Sequence, residues 1–160
     1  MRDTMVTRRD PVQATFDEFG AKLGLEKRAR TWYRRSPDVL SILNLQKSQW
    51  GAQYYVNVAF WFTALGAEAL PKEREAHVRT RLDTLLRQTD PAELRAFLDL
   101  DAPISETDRV AGLLRLLEGE LAPLFEKFTS VAAFKSPAGR DLLMRALVRR
   151  EAQPLVVADS

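Results

Sequence analysis

The stretch from Leu43 to Phe62, LNLQKSQWGAQYYVNVAFWF, constrains the fold more than any other because it reads as two strands joined by a turn at Trp50-Gly51. Glycine supplies the positive φ that a tight connection favours. With the turn there, residue 49 faces 52, and every cross-strand pair joins an even position to an odd one. Lengthening the loop from two residues to four leaves that parity unchanged. Leu43 and Leu45 therefore share a face with Val56, Val58, Phe60 and Phe62. Asn44 and Gln46 share the other with Tyr55, Asn57, Ala59 and Trp61. One face is core; the other is a polar-aromatic surface.

The segments around this hairpin supply its partners. Asp10-Pro11 is a helix start, with a capping carboxylate before a proline suited to the first helical position. Val12, Phe16, Phe19 and Leu23 follow at helical spacing, and Gly24 closes the helix. Residues 30–35, RTWYRR, read as a strand before the turn at Ser36-Pro37-Asp38. Residues 76–82, AHVRTRL, alternate with period two, which favours a strand with Val78, Thr80 and Leu82 on one side and His77, Arg79 and Arg81 on the other. A helix over 73–86 competes, since Val78, Leu82, Leu85 and Leu86 also fit helical spacing. Asp90-Pro91 starts a short helix, and residues 97–101 read as a short edge strand.

Ser105 caps a long helix whose apolar stripe runs from Val110 to Phe128, with a kink expected where Pro123 clashes with the Gly119 carbonyl. Ser136-Pro137 begins a last helix that turns Leu142, Leu143, Leu147 and Val148 inward. The expected architecture is a single α+β domain over residues 1–151, followed by a flexible tail over 152–160. Its antiparallel sheet has four to five strands, and the N-terminal and C-terminal helices pack on one face.

Composition excludes more than it suggests. A chain of 160 residues can bury a core without disulfide or metal staples. The 24 Lys+Arg against 22 Asp+Glu leave a formal charge of +2, too balanced to argue by itself for nucleic acid or a membrane surface. Cysteine is absent, which removes thiol nucleophiles and thiolate metal sites and fits a reducing cytoplasm. The first ten residues lack a signal-like apolar run, and nothing later approaches the ~18 apolar residues of a membrane span. No cofactor or metal site is expected, and a cytoplasmic location is. The apolar stripe from Val110 to Phe128 is widened by Leu114, Leu116, Leu117 and Leu121; core is its plainer reading and part of a dimer surface the alternative.

The ordered set of LNLQKSQWG, YYVNV and HVRTRL, together with Phe16, Phe19 and the TWYR strand, resembles the domain-of-unknown-function 4304 family. The resemblance covers most of the chain. It implies a mainly bacterial α+β domain with no established activity, so it supports the fold and supplies no mechanism.

No complete catalytic motif is present, and no catalytic residue is assigned. The candidate ligand or partner face comprises Asn44, Gln46, Trp50, Tyr55, Asn57, Trp61, His77, Arg79 and Arg81. Arginine suits anion capture because its planar fork meets a carboxylate or phosphate in bidentate fashion. A solvated sheet face with locally paired arginines is the plainer reading. His77 is the single histidine; a hydrogen-bonded structural role competes with a role as base. Arg28, Arg30, Arg34 and Arg35 around Trp32 and Tyr33 superficially suit nucleic acid, but a half-buried strand with exposed arginines explains them too. The function expected is a non-enzymatic protein-interaction or ligand-binding domain, with an immunity- or inhibitor-like role as its specific form. The alternative is an enzyme or small-molecule receptor for an anionic ligand bound by Arg79 and Arg81.

Overall fold

The computed structural model of the chain describes residues 10–157. The signal-peptide reading of the first residues lies outside them except at residue 10. The molecule is α+β, with six antiparallel strands in meander order: β1 (Glu26–Arg28), β2 (Thr31–Arg35), β3 (Val39–Lys47), β4 (Tyr54–Phe62), β5 (Val78–Arg81) and β6 (Leu147–Val148). The helices are α1 (Pro11–Leu23), α2 (Pro91–Leu98), α3 (Glu106–Leu116), α4 (Ala122–Lys127), α5 (Val131–Phe134), α6 (Pro137–Met144) and α7 (Gln153–Val156).

The parity argument holds. Asn44 pairs with Asn57, Gln46 with Tyr55 and Leu43 with Val58, although the loop spans residues 48–53 rather than two or four. Each lengthening by two preserves which residues share a face. The larger core gathers Trp32, Leu43, Leu45, Val58, Phe60 and Phe62 with helix residues that include Phe16, Phe19, Leu113, Phe125 and Phe134. Phe60 sits among the rings of Phe125, Phe128 and Phe134 at centroid distances of 5.1–6.2 Å.

Local chemistry places the elements. The Asp10 carboxylate accepts the Val12 N–H at 2.8 Å, while its other oxygen accepts the Tyr54 hydroxyl at 2.5 Å, so the cap of α1 is fastened to β4. Gly24 closes α1 at φ 68°, in the left-handed region. The kink expected near Gly119 and Pro123 takes the form of a π turn over Leu117–Leu121, in which the Ala122 N–H reaches back five residues to the Leu117 carbonyl. Widening the turn accommodates a proline that lacks an N–H and would otherwise strike the preceding turn.

Several expectations are corrected. The sheet has six strands, because β1 and β6 are too short to show alternation. Of residues 76–82, Val78–Arg81 follow the strand reading, as β5, and Leu82 opens a short 3-10 turn. Residues 97–98 end helix α2 rather than an edge strand, and only Asp99 makes an isolated bridge, to Gln53. The buried guanidinium of Arg109 stabilises that ending by donating to the carbonyls of Ala96, Phe97, Asp99 and Ala102 at 2.7–3.2 Å. Helix α6 stops at Met144, and Leu147 and Val148 join the sheet edge instead of the helix; Val148 still packs against the core, whereas Leu147 is exposed. Residues 152–157 are not a loose tail: Ala152 and Val156 are buried in the main core. Residues 158–160 lie outside the described part.

Candidate functional site

The polar-aromatic face is laid out in rows that cross the sheet. One row runs Arg28–Thr31–Asn44–Asn57–Arg81 over five strands, and the next runs Glu26–Tyr33–Ile42–Ala59–Arg79–Leu147 over all six. Beyond them come Arg35, Leu40 and Trp61, in direct register. Polarity thus changes from row to row along the strands.

At the Trp61 end the face is covered. Tyr33, Leu40, Ile42, Ala59, Trp61 and Ala76 form a second buried cluster, with Leu70 packed against it. The connection over residues 66–77 makes this cover: the Trp61 indole donates to the Gly66 carbonyl at 3.0 Å, and the Tyr33 hydroxyl donates to the Pro71 carbonyl at 2.8 Å. His77 lies in the same layer, its ring 4.3 Å from that of Trp61 and stacked on Phe62 at 5.9 Å. Its Nδ1 accepts the Phe62 N–H at 2.9 Å. Burial holds the imidazole below its ordinary pKa; the charge of Glu151 opposes this and that of Arg149 adds to it. Trp61 and His77, expected on the presented face, are therefore buried parts of the structure. Bonding to a backbone N–H requires the neutral imidazole, which gives His77 a structural task.

At the Asn57 end the face opens into a groove of two adjoining lobes, about 600 and 520 Å³. Gln46, Asn57, Glu73 and Arg79 line both lobes and form the waist between them. The first lobe is ringed by Arg28, Arg30, Lys72 and Arg74; Lys47 also borders it, but its ammonium lies over the Tyr54 ring on the opposite face, 5.8 Å from the centroid. Arg81 and Arg145 border the second, beside Met144 and Leu147, which are 86% and 72% exposed. Glu73 is the single carboxylate among the lining residues, and it is paired with Arg79 at 3.0 Å.

A chain of amides forms the floor. Asn57 donates to Asn44 at 2.9 Å and to Gln46 at 3.0 Å, and Asn44 donates to Thr31 at 2.9 Å. Both Nδ2 hydrogens of Asn57 are thereby engaged, so its orientation is fixed from within the sheet. Field effects reach the adjacent row: burial pushes the Tyr33 phenol up, the charge of Arg28 pulls it down, and Glu26 adds to the rise.

Asn44, Gln46, Asn57, Arg79 and Arg81 thus come together as expected. Tyr55 stands to one side, under the Arg81 guanidinium at 4.4 Å from its ring centroid. Trp50, at the hairpin tip, is 93% exposed and does not line the groove. Sequence reasoning missed Lys72, Arg74 and Arg145 as part of the site. It noticed Arg28 and Arg30 only as a basic run. The hairpin of β1 and β2, with Ala29 at φ 55°, carries those two arginines to the groove. A positive φ at alanine leaves no local signal as clear as a glycine would.

Among the described residues, no group of three or more His, Asp or Glu side chains is placed to hold a metal ion. No helix among them is long and apolar enough to cross a membrane. Neither a curated protein nor a solved structure matches the chain. The family model of the domain of unknown function DUF4304 matches residues 17–127, and the chain belongs to that family.

Proposed function

We propose that this chain is a non-enzymatic binding domain, immunity- or inhibitor-like in mode of action, that captures an anionic ligand in the two-lobed groove. On this reading the N-terminal and C-terminal helices back the apolar face of the sheet and leave the opposite face for the ligand, in the cytoplasm. The observation that carries the reading is the charge imbalance. Besides Lys47, seven cationic side chains border the groove against one carboxylate, whereas the whole chain has 24 against 22. Arg28, Arg30 and Arg74 have no carboxylate partner among the described residues. A concave, low-dielectric wall concentrates such a field and raises the local concentration of an anion. The amide floor adds hydrogen-bonding groups already held in place, which reduces the entropy lost on binding.

The concavity around Asn57, Arg79 and Arg81 favours this over a flat contact surface built on Trp50 and Trp61. Calorimetric titration with tripolyphosphate at low salt tests the reading. Binding is expected that weakens steeply with added salt, and the double variant Arg30→Ala, Arg74→Ala is expected to lose about tenfold in affinity or more. Equal affinity in the double variant, or no heat of binding at low salt, removes the proposal.

A further inference from the structure

We infer that the groove is built for an extended acidic peptide lying across the strands, rather than for a compact anion. This rests on the anion-binding reading above. Three observations point to it independently.

The first is length. Arg28 and Arg81 end the row Arg28–Thr31–Asn44–Asn57–Arg81. Four inter-strand steps separate them by roughly 19 Å, about the span of six extended residues. A phosphate or small dicarboxylate bridges only a fraction of that distance. The second is the waist. With Asn57 Nδ2 donating to both Asn44 and Gln46, Asn57 Oδ1 and Gln46 Nε2 remain without a partner among the described residues. Asn57 is 8% exposed and lines both lobes. An acceptor beside a donor complements a peptide group, which offers one N–H and one C=O. The third is the lip of the second lobe, where Met144 and Leu147 stand exposed next to Arg81 and Arg145. That pairing fits an apolar side chain neighbouring a carboxylate.

Single-stranded nucleic acid fits less well. Base stacking needs open aromatic faces, but Tyr33 and Trp61 are buried and Tyr55 is covered by Arg81.

The test compares three labelled or competing probes at physiological salt with the full chain: a hexapeptide pool Glu-Glu-X-X-Glu-Glu with apolar X and blocked ends, tripolyphosphate, and hexadeoxythymidylate. The pool is expected to bind about tenfold tighter than either other probe. Leu147→Ser, at an exposed position where folding is not at stake, is expected to narrow the ratio of peptide to tripolyphosphate affinity severalfold; Asn57→Ala should narrow it too. If tripolyphosphate binds as tightly as the pool and Leu147→Ser leaves the ratio unchanged, the peptide inference fails while the anion-binding reading stands. Tighter binding of the oligonucleotide also overturns it. Absence of binding by all three probes, at low salt as well, removes both.

Discussion

At the Trp61 end of the polar-aromatic face, residues 66–77 lie over the sheet and the side chains beneath them are buried. Two rows away, at Asn57, the same face carries amides and arginines around an open groove. Strand alternation treats the two ends alike, since it assigns side chains only to one side or the other. Their difference comes from what crosses above them. Where the connection supplies carbonyls to Trp61 and Tyr33, burial of these rings is satisfied. Where it supplies Lys72, Glu73 and Arg74 instead, it becomes one wall of the groove.

The largest expected contrast between the ends is in stability. Trp61→Ala empties a buried layer and should cost about 3–5 kcal/mol, whereas Asn44→Ala at the open end should cost about 1 kcal/mol. Chemical denaturation of both variants measures it, and similar losses would mean that the two ends are equally buried. Gly66→Ala comes next. A Cβ at Gly66 would lie 2.6 Å from the Trp61 ring, so the cover must lift or the indole must shift. The backbone there is extended and suits any residue, leaving steric overlap as the cause, at about 1–3 kcal/mol.

A smaller effect distinguishes the ends by pH. The His77 imidazole is held below the ordinary value of 6.5, so the unfolded chain takes up a proton first as pH falls. The stabilisation is fully present above that ordinary value and is lost as pH drops through the lower folded one. The urea midpoint should therefore fall between about pH 7.5 and about pH 5.5, and the His77→Gln variant should be less stable but flatter over that window. Parallel pH curves for the two proteins would contradict the structural role of His77. The smallest effect belongs to the groove: Arg30→Ala and Arg74→Ala should each change stability by less than about 0.5 kcal/mol, since both side chains are exposed.

Much of this was legible in the sequence because strand pairing across one hairpin obeys parity. The facing of Asn44, Asn57, Leu43 and Val58 followed from the position of a single turn, and residues 76–82 extended it to Arg79 and Arg81. What escaped prediction was set by tertiary context. Nothing local marks residues 66–77 as a cover, so Trp61 and His77 looked presented. Two- and three-residue strands carry too little periodicity to be seen, which hid β1 and β6 and with them the route by which Arg28 and Leu147 reach the face. Leu147 and Val148 continue the helical spacing of Leu142 and Leu143, yet the helix stops at Met144 and they pair with Arg79 and Val78.

On the reading proposed above, the open end of this face is an anion site. Titrating tripolyphosphate into the ¹⁵N-labelled protein, with amide and arginine side-chain signals followed by NMR, tests it most directly. Saturable shifts are expected at Arg28, Arg30, Gln46, Asn57, Arg74 and Arg79, with Trp61 and Trp50 little moved. Shifts centred on Trp50 or elsewhere, or none that saturate, would contradict it.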